Sequence, residues 1–358
     1  TTDGGNTWNT QTLETSPNGS VISIQMIDEN NGFLLGNSLY TTTNGGTNWL
    51  KTTNSYVLTT GWSNMFVLNK DVIYLNGAGT SGLKKIIRSL DGGATWTDIT
   101  SNLAGAAGTT IFKTKWLNLK HGIVIGASGW AAKTTDGGVT WAQSNPGFST
   151  LVDASFLNKN LWMAVSDRNG SFQAGRKTEN ITSISVNVTV NIEGFWNGKP
   201  HVLDTVTVEL HNSTSPFAVV DVAKEVITVN GYQTYEFNSA PAGSYYIVVK
   251  HRNGLETWSA APVVMAAGGN YNYDFTTASS QAYGNNMILK SGKYCIYSGD
   301  ANQDGVIDVT DLSLIDNDGF SFASGYLPTD CNGDNVIDLT DLSIADNNAS
   351  NSIAVIKP

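Results

Sequence analysis

Hydrophobic and polar residues alternate along most of the chain, in short runs separated by turns rich in Gly, Asn and Pro. Examples are VISIQMID (21–28), GIVIGASGWAAKTT (122–135) and SISVNVTVNIEG (183–194). A period of two residues turns one face of a strand toward a core, so these runs predict β-strands. The pattern therefore predicts a mainly β protein.

An eight-residue segment recurs in the first half of the chain, at TTDGGNTW (1–8), TTNGGTNW (42–49), SLDGGATW (89–96) and TTDGGVTW (134–141). The third residue of each copy is Asp3, Asn44, Asp91 or Asp136, which gives intervals of 41, 47 and 45 residues. The acid or amide is expected to cap a tight turn, a Gly to supply a positive φ, and the Trp to pack beneath the hairpin. A repeat of this length, filled with alternating strands, is the size of a four-stranded propeller blade.

These segments resemble the Asp boxes of β-propellers such as sialidases, xyloglucanase-type glycosidases, sortilin-like receptors and photosystem-assembly propellers. The resemblance implies an Asp-box β-propeller over residues 1–178. Either the first box completes the last blade and closes a ring of four, or further blades are supplied from outside this sequence, which we favour. The box acids are expected to be structural, because no arginine triad and no convincing pair of carboxylates accompanies them.

Residues 179–280 contain six alternating segments separated by turn signals such as NGKP and NSTSP, which is typical of an antiparallel Ig-like β-sandwich. The segment PAGSYYIVVKHRNGLETWS (241–259) resembles transthyretin-like and carboxypeptidase-regulatory-like sandwiches. Polysaccharide is one candidate partner, through stacking on aromatic rings, and packing of the same rings in the core is the alternative. The rings are those of Trp196, Trp258, Tyr245 and Tyr246.

The strongest chemical signal is a duplicated loop, GDANQDGVIDVTDLSLIDND (299–318) and TDCNGDNVIDLTDLSIADNN (329–348). Oxygen-bearing side chains stand at loop positions 1, 3, 5, 9 and 12 of both copies, and position 7 is expected to offer a backbone carbonyl. This spacing wraps six or more oxygens around one hard cation, so we expect two Ca²⁺ ions. Position 6 needs a positive φ, for which Gly305 and Asn335 are suited. The predicted ligands are Asp300, Asn302, Asp304, Val306, Asp308 and Asp311 in the first loop, and Asp330, Asn332, Asp334, Val336, Asp338 and Asp341 in the second.

The negative charge of the chain lies in this region. Residues 294–356 contain eleven Asp and no Glu, Lys or Arg, whereas the whole chain has a net charge of −10, so the remaining residues sum to +1. Two bound Ca²⁺ ions would reduce the −11 of the segment to −7, so calcium binding and folding of this segment should be coupled.

The two loops resemble dockerin repeats, the calcium modules that bind cohesin domains, and like those repeats they have Asp at position 12. The resemblance implies a small α module over residues 281–358 and a cohesin-like protein partner. The helices predicted after the loops are short, Leu312–Asp316 and Leu342–Asp346. Cys295 and Cys331 flank the first loop and either form a disulfide or remain two buried thiols.

Composition and charge give no indication of a membrane-spanning or nucleic-acid-binding protein. No run of eighteen apolar residues predicts a membrane span, and the local acidity gives no reason to expect nucleic acid. We expect a non-catalytic structural or adhesive protein outside the cell or on a bacterial surface, stabilised by calcium and assembled with itself or with a cohesin-like protein. The alternative is a fragment of a propeller glycoside hydrolase anchored to a cohesin through the dockerin-like module.

Overall fold

The protein is described by a computed structural model that covers residues 6–7, 21–36, 38–54, 61–77, 85–100, 103, 110–144, 150–168, 171–178, 181–198 and 200–358, with the side chains of 167–168 and 171–178 left out. The chain forms two compact units, Thr1–Glu179 and Asn180–Pro358. The fold is mainly β, with several antiparallel sheets, as the alternating pattern predicted. The second unit contains both segments that were predicted as a sandwich and a calcium module, so the boundary at 280/281 stays a prediction.

The first unit consists of consecutive antiparallel sheets. Neighbouring strands along the chain pair in the orders β1-β2-β3-β4, β5-β6-β7-β8, β9-β10-β11-β12 and β13-β14-β15. The strands are β1 (Ser23–Met26), β2 (Gly32–Leu35), β3 (Leu39–Thr42), β4 (Leu50–Lys51), β5 (Trp62–Val67), β6 (Ile73–Gly77), β7 (Lys85–Ser89), β8 (Thr97–Asp98), β9 (Ile111–Trp116), β10 (Gly122–Gly126), β11 (Ala131–Thr134), β12 (Ala142–Ser144), β13 (Leu151–Asn158), β14 (Leu161–Arg168) and β15 (Ser171–Thr178).

Each eight-residue repeat at 42–49, 89–96 and 134–141 forms the turn between the last two strands of a sheet. In the third of these, Asp136 Oδ1 accepts from Thr140 N at 2.8 Å and from Thr134 Oγ1 at 2.7 Å, while Gly137 and Gly138 have φ of 74° and 91°. The predicted turn geometry is therefore present, and this carboxylate is engaged in holding the turn. The copy at 1–8 lies largely outside the described residues.

The sheets of the first unit bury their apolar faces against one another. Leu35, Ile73 and Ile87 belong to a core between the first two sheets, and the rings of Tyr74 and Trp116 stack at 4.0 Å between the second and third. A further core, around Ile125 and Trp162, joins the third and fourth. Such face-to-face packing is the reason why strands as short as four residues can be stable here.

The second unit begins with two sheets that enclose one core. A three-stranded sheet has the order β19-β16-β23, with β16 and β23 parallel, and a five-stranded sheet has the order β18-β17-β20-β21, with β22 also on β20. Valines and isoleucines of both sheets, such as Val186, Val208 and Ile247, are fully buried between them. The strands are β16 (Ile184–Thr189), β17 (Thr205–Asn212), β18 (Val219–Val226), β19 (Tyr232–Phe237), β20 (Gly243–Lys250), β21 (Thr257–Trp258), β22 (Val263–Met265) and β23 (Asn270–Asp274).

The four aromatic rings considered for carbohydrate stacking are buried in this unit, with exposed fractions of 6% for Trp196, 3% for Trp258, 3% for Tyr245 and 8% for Tyr246. Tyr245 belongs to the main core, and Trp258 and Tyr246 contact each other in a smaller cluster. They therefore present no ring face to solvent, and they pack in the core rather than forming a surface for carbohydrate stacking.

Two short 3₁₀ helices (Ser279–Gln281 and Tyr283–Asn285) and a hairpin of β24 (Ile288–Lys290) and β25 (Lys293–Cys295) lead into the duplicated loops. A helix follows each loop, α1 (Val309–Phe320) and α2 (Leu339–Ser350), and neither is long and apolar enough to cross a membrane. A small core around Ile315, Ile337 and Ala345 lies between them.

The helices are longer than the short segments expected from the sequence. That expectation treated Asn317–Gly319 and Asn347–Asn348 as stops, but α1 continues to Phe320 and α2 to Ser350. Each helix ends where Phe322 or Ser352 takes a positive φ, 53° or 54°, and the next N–H returns to a carbonyl five residues earlier. A C-terminal cap of this kind usually has Gly or Asn at this position, so Phe322 and Ser352 did not mark the helix ends in the sequence.

The two loop–helix halves are interlocked. Ile307 N donates to Ile353 O at 2.9 Å, so the first loop pairs with the chain that follows α2. Ile337 N correspondingly donates to Ala323 O at 3.4 Å, so the second loop pairs with the chain that follows α1. The same offset of thirty residues relates all four positions, which makes the module a pair of equivalent halves.

Candidate calcium-binding module

The residues at loop position 6 have the predicted backbone. Gly305 has φ of 89° and Asn335 has φ of 66°, in the left-handed region that these two residue types tolerate best. This conformation turns each loop back so that the position-6 N–H donates to the position-1 carboxylate. Gly305 N lies 3.2 Å from Asp300 Oδ2, and Asn335 N lies 3.2 Å from Asp330 Oδ2.

Positions 3 and 5 form the same hydrogen bonds in both loops. Asn302 Oδ1 accepts from Asp304 N at 2.8 Å, and Asp304 Oδ1 accepts from Val306 N at 3.0 Å. The corresponding distances in the second loop, for Asn332, Asp334 and Val336, are both 2.9 Å. Side-chain oxygens that bond to the backbone two residues ahead favour tight turns, so these residues shape the loop as well as lining it.

Positions 9 and 12 cap the helices. Asp308 Oδ1 accepts from Thr310 N at 2.7 Å, and Asp311 Oδ2 accepts from Asp308 N at 3.0 Å. Asp338 and Asp341 repeat both contacts around α2, at 2.7 Å and 3.0 Å. These capping boxes place negative charge at helix N-termini, where the helix dipole stabilises it.

Burial separates the predicted ligands into two groups. Asp300 is 2% exposed, and Asp311, Asp330 and Asp341 are fully buried. The other ligand residues are half-buried or exposed: Asn302, Asp304, Val306, Asp308, Asn332, Asp334, Val336 and Asp338. The carboxylates at positions 1 and 12 therefore form the floor of each loop, and positions 3 to 9 form its rim.

The floor of the first loop is electrostatically unfavourable without a cation. Burial, and then the charges of Asp311 and Asp304, raise the pKa of the Asp300 carboxyl to about 7. Burial also raises the pKa of Asp341, with the charge of Asp330 contributing. Hydrogen bonds from Thr310 lower the pKa of the exposed Asp308 carboxyl instead. A cation inside the loop would remove the penalty on the buried group.

One oxygen of this floor has no partner. Asp300 Oδ1 is buried and has no hydrogen-bond partner among the described residues, whereas Oδ2 accepts from Gly305 N. An isolated buried carboxylate oxygen is costly, and a hard cation is the partner that its chemistry suits. The oxygen set of Asp300, Asn302 and Asp304 thus fits Ca²⁺.

No group of three or more His, Cys, Asp or Glu side chains is already arranged to hold a metal ion in the described part of the chain. Each predicted ligand set also uses an Asn amide and a Val carbonyl, so its carboxylates are only part of it. The rim residues Asp304 and Asp334 are exposed and can rotate toward a cation.

The two cysteines remain separate. Both are free and buried, so the disulfide considered from the sequence does not form in this structure. Burial raises the pKa of the Cys295 thiol to about 12 and raises that of Cys331 as well. Cys331 belongs to the small core under the loops, where a thiol packs as a hydrophobic group.

Residues outside the duplicated loops also contact the module, and sequence reasoning missed them. Arg252 Nη2 lies 3.1 Å from Asp330 Oδ2, and Asn253 Nδ2 donates to Asp330 O at 2.6 Å. Farther along, Asn348 Nδ2 donates to Glu193 Oε2 at 2.6 Å and to Ser298 O at 2.8 Å. No local motif marks these residues, because the partners are separated by 50 to 155 positions.

The halves of the module differ at one surface. Phe320 and Phe322, at the end of α1, are 87% and 91% exposed. The equivalent positions after α2 are the exposed serines Ser350 and Ser352. Exposed Leu339, on the adjoining turn of α2, extends the apolar area beside Phe320 and Phe322. Adjacent exposed aromatic residues of this kind mark interaction surfaces.

No protein-family model matches this sequence, and no curated protein matches it either. Among solved structures it is similar to a YCF48 protein bound to a D1 peptide, at 14% identity over 68% of this chain and 80% of that one, with a TM-score of 0.35. YCF48 from Cyanidioschyzon merolae is similar at 14% identity over 71% of this chain and 95% of that one, with a TM-score of 0.34. A type II cohesin–X–dockerin complex from Acetivibrio cellulolyticus is similar at 22% identity over 47% of this chain and 95% of the matched one, with a TM-score of 0.27. At these TM-scores the likenesses establish neither a family nor a function.

Proposed function

We propose that residues 294–356 form a module that binds two Ca²⁺ ions through the twelve predicted ligands. The observation that carries this proposal is Asp300 Oδ1, a buried carboxyl oxygen that has no hydrogen-bond partner among the described residues. The duplicated loop sequence and the eleven Asp without a basic residue support it. Calcium at the millimolar levels found outside cells would fill even weak sites of this type.

We further propose that the protein is a non-catalytic component of an extracellular or cell-surface assembly. Asp91 and Asp136, the best-placed acids of the repeats, are engaged in turn hydrogen bonds that give them a structural task. The exposed pair Phe320 and Phe322 supplies an apolar surface for a protein partner. Calcium would act as the clamp that holds this surface in shape, and self-association is the interaction that we favour.

A cohesin-like partner is the second candidate. The duplicated loop–helix halves and their dockerin-like ligand pattern favour it, and it would suit a glycoside hydrolase fragment anchored through the module. A panel of purified cohesins from the same source distinguishes the candidates, since nanomolar calcium-dependent binding supports docking and self-assembly predicts none.

The test of the first proposal combines calcium titration with electron microscopy and light scattering. We expect two bound ions per chain, and ordered oligomers in calcium that dissociate in EGTA. A chain that binds no calcium refutes the metal site. A protein that binds two ions yet stays monomeric at high concentration retains the metal site and refutes self-assembly.

A further inference from the structure

The turn after β20 touches both calcium loops. Asn253 is fully buried there, and its backbone carbonyl accepts from Gly299 N at 2.8 Å and from Asp300 N at 3.1 Å. Its side chain points the other way and donates from Nδ2 to Asp330 O at 2.6 Å. One residue therefore bonds to the position-1 residue of each loop, Asp300 and Asp330.

The neighbouring Arg252 fixes the second loop to the same turn. Its Nη2 lies 3.1 Å from Asp330 Oδ2, and its Nε lies 2.9 Å from Asp204 Oδ2. The guanidinium also lies over the rings of Tyr326 and Phe195, with centroids at 4.5 Å and 5.3 Å. A planar guanidinium held on two carboxylates and two rings has little freedom, so it orients the Asp330 carboxylate but does not contact the Asp330 backbone.

The first loop has no equivalent support. Asp300 N donates to the Asn253 carbonyl, but within the described residues no guanidinium contacts the Asp300 carboxylate and Oδ1 has no hydrogen-bond partner. The two sites therefore differ in support: Arg252 orients the carboxylate of Asp330 in the second loop, whereas the turn at Asn253 contacts the backbone of both loops.

We propose that Asn253 is a positioning residue that couples the two calcium sites, so that they fill cooperatively. This inference rests on the proposed calcium binding. Filling the second loop fixes the Asp330 backbone, which fixes the Asn253 side chain and, through its carbonyl, the Gly299–Asp300 backbone of the first loop. The conformational entropy of the turn at Asn253 is then lost when the first ion binds and is not lost again when the second ion binds, which gives positive cooperativity.

The test is a calcium titration of the full chain by calorimetry with a competing chelator. Wild-type protein should bind two ions with a Hill coefficient above one, the second association being about fivefold or more tighter than for independent sites. Asn253→Ala removes the bond to Asp330 O but keeps the carbonyl that holds the first loop. It should still bind two ions, with the Hill coefficient falling to about one and the affinity of the weaker step falling about threefold to tenfold.

Asn253→Leu is the second variant, because it keeps the approximate size of the side chain, adds no charge near the loops and removes the donor. It should lose cooperativity as Asn253→Ala does, and near-ultraviolet circular dichroism checks that each variant is folded. Asn238→Ala, at an exposed Asn of the same unit, is the matched control and should retain wild-type binding. Wild-type cooperativity in folded Asn253→Ala or Asn253→Leu overturns the coupling. Two independent sites in the wild-type protein overturn it too and leave calcium binding intact, whereas no bound calcium overturns both proposals.

Discussion

Asn348 holds helix α2 against the sandwich, and replacing it tests how this packing is stabilised. The side chain is 2% exposed, and its Nδ2 donates to the buried carboxylate of Glu193 at 2.6 Å and to Ser298 O at 2.8 Å. Asn348→Ala removes both donors. A hydrogen bond to a charged group contributes about 1.5–3 kcal/mol and a neutral one about 0.5–1.5 kcal/mol, so we expect a loss of about 2–4 kcal/mol in the free energy of opening.

Hydrogen–deuterium exchange in saturating calcium measures this loss directly. Amides of residues 339–350 should exchange about 30-fold to 700-fold faster in Asn348→Ala, because every 1.4 kcal/mol is a factor of ten. Asn347→Ala is the matched control, since Asn347 is the exposed neighbour on the same helix. An acceleration below threefold, or one equal to that of the control, would show that Glu193 and Ser298 find other partners and that the reasoning is wrong.

Three further outcomes are expected. Asp304→Ala combined with Asp334→Ala removes a rim ligand from each loop. Limited proteolysis followed by mass spectrometry should then find cleavage within 295–350 and none in the first unit. Resistance of residues 295–350 to the protease would contradict the stabilisation of this segment by calcium. Phe320→Ser combined with Phe322→Ser introduces the residues found at the equivalent positions of the other half. Light scattering should then detect no oligomers, while the free energy of unfolding changes by less than about 0.5 kcal/mol. Unchanged oligomers would show that this surface does not mediate self-association. Asp136→Ala removes the side-chain acceptor of the 134–141 turn. The local opening free energy measured by hydrogen exchange should fall by about 1–2 kcal/mol. Unchanged protection of the turn would count against a structural role for Asp136.

Local rules account for most of what could be predicted from this sequence. Alternation predicted the strands because each sheet buries one face, and the glycines of the eight-residue repeats predicted the turns because a positive φ is needed there. Gly305 and Asn335 likewise have the predicted backbone at loop position 6. Each of these features is decided by residues within one turn of the chain.

Features that depend on distant contacts gave no such signal. The ends of α1 and α2 were misplaced because Phe322 and Ser352 adopt a conformation that their side chains do not favour, held by the bridges to the opposite loops. Arg252 and Asn253 looked like ordinary turn residues, although they contact Asp330 from 78 and 77 positions away. The packing of the whole unit decides which turn residues contact the loops, and local sequence patterns do not indicate it.

The interlocked pairing of the two halves also sets an order of events during synthesis. The partner of the second loop, Ala323, precedes that loop in the chain, so the second loop has its pairing segment as soon as it emerges. Ile353, the partner of Ile307 in the first loop, lies 46 residues later in the chain, so the first loop must wait. A chain delivered from its N-terminus would thus complete its later loop first, and the earlier loop would be the last part of the module to close.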